Sequence, residues 1–334
     1  MSKFIKFKED YLIPAFRVLM NAISYFINQL PGIRANPENG INGFSIDAEL
    51  ESDNSEIFKL AAEVKIKQRL NNLVTINENF EDDSSYITCA EYQLFINDSQ
   101  YPSPQHWHNN RFKPGNARNY VTGLIKRDAT RFCTWLTGKY LLKSQLSQLK
   151  AFYKPFEENG KLRLTKVKIP SRYSQLAKYL YKHQWRKADE ETSRVMLEVV
   201  GREERGYLTL EDITNFPCED FYIINLLWVV YSQGHFGFSI QQEIYQSLKR
   251  TSNFPLMEKI VCEEYGLSVG WWSKGGVWFA RDSYTFNLKN ARRGHLPGLL
   301  EFGGFPRRCT VEDSRSDTLN AYIYVFSRVK NCGL

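Results

Sequence analysis

The longest run of apolar positions in the chain lies at residues 221–231, where nearly every side chain is apolar. Pro217 suits the first position of a helix, and Glu219 and Asp220 favour the positive end of a helix dipole. A helix that is apolar on all sides must be enclosed by protein, so the pattern predicts a central core helix. Because several of these residues are β-branched, a buried strand at 222–231 is the alternative.

A second helix is predicted directly after the first. Gly234 is a natural helix terminator, and Ser239 with Gln242 three residues later has the spacing of a capping box. The second helix is expected to end near Arg250. The two helices would therefore meet at the aromatic sequence His235-Phe236-Gly237-Phe238.

Helical spacing of apolar residues recurs in other parts of the chain. It predicts an amphipathic helix near the N-terminus, a helix from Ile57 to Asn71, two short helices between Tyr173 and Val199, one near Met257 to Tyr265 and a closing helix within 318–332. Residues 31–56 are rich in Pro, Gly and Asn and are expected to form a loop. Ile169-Pro170 is expected to mark a domain boundary.

Composition limits the possible functions. The chain has 334 residues, 43% of them hydrophobic, which is enough for a substantial core. The net charge of +7 comes from 44 basic and 37 acidic residues spread along the chain, so nucleic acid is not an expected partner. The N-terminal 30 residues fit neither a transmembrane helix nor a signal peptide. We expect a cytoplasmic protein with at most peripheral membrane contact.

The cysteines and histidines do not indicate a metal site. The six cysteines are widely separated, and the simplest interpretation is reduced, partly buried thiols. His106 and His108 flank Trp107 and could face one side of an extended segment, but no third ligand is nearby. No metal site is therefore predicted.

Two stretches in the first half of the chain resemble the formylglycine-generating-enzyme or sulfatase-modifying-factor family. They are TCAEYQLFI at 88–96, which in that family gives a strand leading into a helix, and YVTGLIKRDATRFCTWL at 120–136, which gives a second helix. The copper-binding cysteine pair of the oxidising members has no counterpart after Leu136. The resemblance implies a small, truncated α+β module at 81–142 without catalytic residues, so an oxidase is not favoured.

A second resemblance covers the C-terminal half. The string LLWVVYSQGHFGFSIQQEIY at 226–245, FPCED ahead of it and GHLP at 294–297 resemble the tetrapyrrole-binding family named for the genomes-uncoupled (GUN) plastid-signalling mutants, the fourth of that series. The residues from Leu176 to Met196 match the opening of that domain. The same helix pair also resembles one tetratricopeptide unit, but a solenoid needs about three. The resemblance implies a mainly α domain at 171–333.

The GUN resemblance implies a concave surface that holds protoporphyrin IX or Mg-protoporphyrin IX without reacting with it. Arginines beside the aromatic segment suit the porphyrin propionates, because a guanidinium pairs with a carboxylate bidentately. His295 could ligate a metalloporphyrin or act as a structural hydrogen-bonding residue, and Trp271 and Trp278 could line the ligand or complete the core. The predicted ligand-contacting residues are Trp228, Phe236, Phe238, Arg281, Tyr284, Phe286, Arg292, Arg293, His295, Leu296 and Pro297.

The resemblance suggests a cyanobacterial-type porphyrin sensor, carrier or chelatase activator in chlorophyll biosynthesis, with magnesium chelatase or a signalling protein as partner. After GHLP, however, the Asn and paired Arg of the porphyrin binders are missing, and only Arg307 and Arg308 could replace that charge. The alternative function is a protein-interaction adaptor that keeps the fold without pigment. The expected organisation is a helical N-terminal region at 1–80, the truncated module at 81–142, a linker at 143–170 and the tetrapyrrole-binding domain at 171–333.

Overall fold

The computed structural model describes residues 49–51, 55–142, 148–251, 258–273, 279, 283–298 and 317–334. Two compact units are present, Met1–Ala61 and Ala62–Leu334. The predicted N-terminal helix and the positions of Arg281, Trp278, Arg307 and Arg308 lie outside the described residues. The second unit contains every feature discussed below.

Helices dominate the first part of the described chain. Helix α1 spans Ser55–Asn71, α2 spans Cys89–Ser99, and α3 spans Lys126–Leu136 and continues into a π-helical turn, Thr137–Leu142. The helix predicted at 57–71 is thus confirmed. At the start of α2, Thr88 and Glu91 form a capping box in which each side chain accepts from the other residue's backbone N–H.

A four-stranded antiparallel sheet follows and includes the stretch that we expected to be a linker. Its strands are β1 Val74–Thr75, β2 Phe80–Asp82, β3 Ala151–Glu158 and β4 Lys161–Lys168, in the spatial order β1-β2-β4-β3. Asn159 and Gly160 join β3 to β4 with φ of 52° and 71°. Two positive φ values in a two-residue loop match the twist of a hairpin, and Asn-Gly is the sequence that adopts them most readily. Residues 151–168 are therefore a folded hairpin.

The C-terminal half is helical. After a short 3₁₀ turn at Ser171–Tyr173 come α4 Ser174–Tyr181, α5 Trp185–Val200, α6 Leu210–Thr214, α7 Cys218–Tyr231, α8 Phe238–Thr251, α9 Glu258–Val269 and α10 Asp317–Cys332. The predicted helix pair, central helix and closing helix are confirmed, and the strand alternative at 222–231 is wrong. None of the described helices is both long enough and apolar enough to cross a bilayer.

Helix α7 lies at the centre of the core, as its pattern predicts. Every side chain from Phe221 to Tyr231 is buried. Its two tyrosines also connect it to the hairpin region, since Tyr222 Oη donates to Tyr153 O (3.0 Å) and Leu149 N donates to Tyr231 Oη (2.7 Å). The hairpin therefore packs directly on α7.

The expectation for two cysteines is wrong. Cys218 at the start of α7 and Cys332 at the end of α10 form a disulfide across a sequence separation of 114. Cys89 and Cys133 are free and buried, as expected for thiols in a core. Spacing along the sequence could not predict the bond, because the two cysteines meet only after seven turns of helix and several loops have folded between them.

Candidate functional site

Helices α7 and α8 are joined by a tight elbow, Ser232–Phe238. Gly234 ends α7 by donating to Val229 O (2.8 Å) in a left-handed conformation, as predicted. The predicted capping role of Ser239 is wrong, because Asn225 Oδ1 accepts the Ser239 N–H (2.9 Å) and Ser239 Oγ has no partner. The side chain of α7 therefore caps the start of α8.

Gly237 holds the tightest position in the elbow. Its φ is 130°, and a Cβ at this residue would lie 2.7 Å from Val229 Cγ2 and 3.2 Å from Asn225 Oδ1. Both the backbone conformation and the missing space require glycine. This close approach lets α8 begin directly against α7.

The GHLP segment crosses the elbow and is hydrogen-bonded to it. Gly294 N donates to His235 O (2.8 Å), and Gly237 N donates to Leu296 O (2.9 Å). A Cβ at Gly294 would lie 2.7 Å from Ile244 Cδ1, so the loop approaches α8 as closely as the elbow does. The two sequence motifs therefore form one structural unit.

Two buried polar side chains hold the same segment. Gln241 on α8 donates through Nε2 to Gly294 O (3.0 Å) and to Pro297 O (2.8 Å), and Gly298 N donates to Asp189 Oδ1 (2.6 Å). The Leu296-Pro297 peptide bond is cis. Asp189, from the matching opening of the domain, thus fixes the end of the GHLP segment to α5.

His295 is buried, 3% exposed, with both ring nitrogens engaged. Nδ1 lies 2.7 Å from Val269 O and Nε2 lies 3.0 Å from Thr285 N. A carbonyl can only accept and a backbone N–H can only donate, so the ring is neutral with its proton on Nδ1. Burial lowers the pKa of His295, and Arg292 and His235 lower it further. These contacts favour the structural alternative over metal ligation.

A stack of rings forms the wall behind His295. Trp271 donates from Nε1 to His295 O (2.8 Å) and lies parallel to Tyr284, with ring centroids 5.9 Å apart and an interplanar angle of 7°. Tyr284 in turn lies 4.9 Å from the His295 ring. Because Trp271 is fully buried, it completes the core.

An open cleft of about 350 Å³ lies in front of this wall. Its lining mixes an exposed aromatic ring, small polar groups and one guanidinium. We call the cleft the surface formed by Leu267, Gly270, Trp272, Ser273, Phe279, Thr285, Asn290, Arg292 and His295. Its volume is at the lower end of the range for small-molecule sites, about 300–1,000 Å³.

The arginines near the cleft differ in their partners. Arg292 lines the cleft and donates from Nη1 to Leu267 O (2.7 Å) near the end of α9. Arg293 instead pairs with Glu243 on α8 (2.7 Å), and Glu243 also pairs with Arg131 on α3. Arg292 is thus the described arginine that faces the cleft, whereas the charge of Arg293 is directed to α8.

The structure divides the predicted ligand-contacting residues into two groups. Trp228, Phe236, Phe238, Leu296 and Pro297 are buried in the core, where Trp228 donates from Nε1 to Thr192 Oγ1 (2.9 Å). Only two of the predicted residues, Arg292 and His295, line the cleft.

Tyr284 and Phe286 lie beside the cleft without lining it. Tyr284 is 7% exposed, and the ring of Phe286 is covered by the Arg186 guanidinium at 4.5 Å. Sequence reasoning missed Leu267, Gly270, Ser273, Phe279, Thr285 and Asn290, which line the cleft. Phe279 carried the one usable signal, since it belongs to the aromatic stretch between α9 and GHLP that lacks helical periodicity.

Comparison with known proteins identifies the class of domain that contains these motifs. Residues 166–306 match the family model described as GUN4-like. The chain therefore contains a GUN4-like domain, and the resemblance predicted for that half is confirmed. The same comparisons do not support the formylglycine-generating-enzyme resemblance of residues 81–142.

The individual relatives are distant. The chain is 34% identical over 77 residues to the chloroplastic tetrapyrrole-binding protein of Arabidopsis thaliana, which covers 22% of this chain and 29% of that protein. It is 31% identical over 137 residues to a Ycf53-like protein of Synechocystis, covering 40% of this chain and 53% of the relative. The chain thus spans about half or less of the length of these relatives.

A solved structure also shows a weak likeness. Ligand-free GUN4 of Arabidopsis thaliana is 22% identical and covers 48% of this chain and 95% of its own, with a TM-score of 0.36. A score at this level carries no argument, so the assignment of the domain rests on the sequence match.

Proposed function

We propose that this chain binds a tetrapyrrole without performing chemistry on it, and that the cleft beside the GHLP segment is the binding site. The observation that carries the proposal is the GUN4-like match at 166–306, which includes every residue that lines the cleft. A relative within that match is named a tetrapyrrole-binding protein. The buried ring wall supports a rigid site that is formed before the ligand arrives.

The lining suits one edge of a flat, apolar dianion. Phe279 is 40% exposed and offers an uncovered ring for contact with the macrocycle. Arg292 stands at the rim, where its remaining N–H groups can pair with a propionate. The macrocycle would therefore enter the cleft by an edge, with its carboxylates turned towards solvent.

His295 makes a specific contribution to ligand choice. Because both of its ring nitrogens are engaged, it does not provide an axial ligand to a metal in the macrocycle. Protoporphyrin IX and Mg-protoporphyrin IX should then bind with comparable affinity. The wider role that we propose is that of a sensor, carrier or activator of magnesium chelatase, or of a signalling protein, in the cytoplasm.

A second function is favoured by a specific observation. Five of the residues expected to contact porphyrin are core residues, so the fold could persist without a ligand. Under this alternative the chain is a protein-interaction adaptor. The two functions differ in whether the cleft binds pigment at all.

The test is a titration of the full chain with protoporphyrin IX and its magnesium form, followed by tryptophan fluorescence and Soret absorbance. We expect saturable binding with a Kd near 1 μM, about −8 kcal/mol. Phe279→Ala and Arg292→Gln should each weaken binding about tenfold, the size expected for losing one charge-assisted contact or one well-packed ring. Because both residues are at the surface, unfolding transitions should stay close to that of the unchanged protein.

Matched controls are available on α5 and before α6. Arg194 is an exposed arginine paired with Glu191 and Glu198, and Tyr207 is an aromatic residue that is 38% exposed. Arg194→Gln and Tyr207→Ala should leave the titration unchanged. If the full chain gives no saturable binding beyond that of an unrelated basic protein, the adaptor function replaces the pigment-binding one.

A further inference from the structure

The Cys218–Cys332 disulfide encloses the cleft within the loop that it closes. The bond joins the start of α7 to the end of α10, and all nine residues that line the cleft lie between the two cysteines. A crosslink restricts the chain segment that it closes. Among the described elements, α7, α8, α9 and the GHLP segment therefore depend on the bond.

The end of α10 is anchored mainly through buried contacts. Val325, Phe326 and Val329 are 0%, 3% and 0% exposed, Gln242 Nε2 donates to Phe326 O (3.1 Å), and Arg328 Nε donates to Phe216 O (2.6 Å). The disulfide is the covalent part of this anchor. Breaking it leaves α10 held by packing and a few hydrogen bonds.

A continuous set of ring contacts leads from α10 to the wall of the cleft. Phe326 lies 5.3 Å from Tyr265, and Tyr265 lies 5.9 Å from Trp271. Trp271 holds the His295 carbonyl through its indole N–H and stacks on Tyr284. A shift of α10 therefore alters the packing of the residues that position His295.

The sulfur atoms differ in access. Cys218 is partly exposed, whereas Cys332 is 5% exposed. Cys218 is also the first residue of α7, where the positive end of the helix dipole stabilises a thiolate. The free cysteines Cys89 and Cys133 are buried and have no such position.

We propose that this disulfide is a reducible site for a dithiol, and that its reduction loosens α10 and the cleft. This inference concerns regulation of the proposed site and, for its effect on ligand, rests on the proposed function. A thiolate of the dithiol attacks Cys218 Sγ, the S–S bond breaks, and Cys332 leaves as a thiolate that takes up a proton. The second thiolate of the dithiol then attacks the mixed disulfide, and Cys218 leaves. Two electrons pass from the dithiol, which becomes a disulfide.

The first experiment measures how the bond is reduced. The oxidised full chain is treated with increasing dithiothreitol, the reaction is stopped by alkylation, and the peptides that contain Cys218 and Cys332 are quantified by mass spectrometry. Direct attack at an accessible sulfur gives a rate proportional to the dithiol concentration. A rate that reaches a plateau means that the bond reacts only after the fold opens, and overturns the inference, as does absence of the bond from the oxidised protein.

The second experiment measures the coupling to the cleft without a ligand. Hydrogen exchange is compared in the oxidised protein, the reduced and alkylated protein and Cys218→Ser, so that the result does not depend on one variant folding. Exchange should accelerate about tenfold in 317–332 and measurably in 265–273 and 283–298. Cys89→Ala is the matched control, because it removes a thiol outside the disulfide and should keep the oxidised protection pattern and the response to dithiol.

The outcomes separate this inference from the proposed function. Faster exchange in α10 with an unchanged cleft shows that the disulfide only fastens a helix, and overturns the coupling. If the cleft responds to reduction but the oxidised chain binds no porphyrin, the redox coupling stands and the pigment-binding function fails. If both hold, porphyrin titration should show about tenfold weaker binding by the reduced chain.

Discussion

The elbow at 232–238 and the cleft beside GHLP lie next to each other, but they use their residues in opposite ways. In the elbow, Phe236 and Phe238 are fully buried, and Gly237 leaves no room for even one added carbon. In the cleft, Phe279 is 40% exposed and Arg292 faces an open volume. One region is fixed by packing, and the other keeps surface available for contact.

The comparison shows which part of a binding motif is recognisable in a sequence. The signature string around Phe236 is distinctive because close packing permits few alternatives at each position. Positions such as Phe279 and Asn290 in the cleft are constrained only by what they bind. The residues that identify the domain are therefore mostly those that build it.

The largest expected effect comes from Gly237→Ala. The added Cβ would meet Val229 Cγ2 at 2.7 Å, and the φ of 130° is one that L-residues rarely adopt. Backbone strain and overpacking together should lower the free energy of unfolding by about 3 kcal/mol or more. Urea unfolding followed by circular dichroism measures this loss.

Gly234→Ala is the matched control for that substitution. Gly234 also has a positive φ, of 81°, but an added Cβ would meet nothing within 4 Å. It should cost only about 1 kcal/mol, the penalty of the left-handed conformation itself. Equal losses at the two glycines would contradict the view that the elbow is limited by space.

A smaller effect is expected at His295, where the two regions meet. His295→Leu leaves Val269 O and Thr285 N without their buried partner and should cost about 2 kcal/mol. The loss should be accompanied by weaker porphyrin binding, because Thr285 lines the cleft. Chemical unfolding and the Soret titration measure the two effects separately.

The same residue gives the protein a predictable dependence on pH. Burial lowers the pKa of His295 below its ordinary value of 6.5, so the unfolded chain takes up the proton first as the pH falls. The contribution of the neutral ring is complete above about pH 7 and declines as the pH falls below the unfolded value. Between pH 7.5 and 5.5, His295→Leu should lose stability less steeply than the unchanged protein. A steeper loss in the variant would show that His295 is protonated in the fold.

Several elements of the fold could be predicted from the sequence because their causes are local. The apolar run at 221–231 determines a buried helix wherever it is placed, and Gly234 ends that helix through its own conformational freedom. The hairpin at 151–168 was also predictable from Asn159-Gly160, although the charged residues around that dipeptide suggested a linker.

Other features depended on contacts that no local pattern contains. The partner of Cys218 lies 114 residues away in the sequence, and Ser239 loses its expected capping role to Asn225 on another helix. The cleft shows the same limit, since α9, the aromatic segment and GHLP each supply part of its lining. Such features become visible only when the chain has folded.

The smallest expected effect is that of Arg293→Gln, and it tests where the cleft ends. Arg293 was predicted to face porphyrin, but it is half exposed and its guanidinium is held by Glu243, away from the cleft lining. An exposed ion pair contributes little, so the free energy of unfolding should fall by less than about 1 kcal/mol. Porphyrin affinity should change by less than twofold, in contrast to the tenfold loss expected for the neighbouring Arg292→Gln. The two variants remove the same charge at adjacent positions, so any difference between their titrations reports geometry and not net charge. Equal losses would mean that the porphyrin extends over α8 and that the binding surface is wider than the cleft.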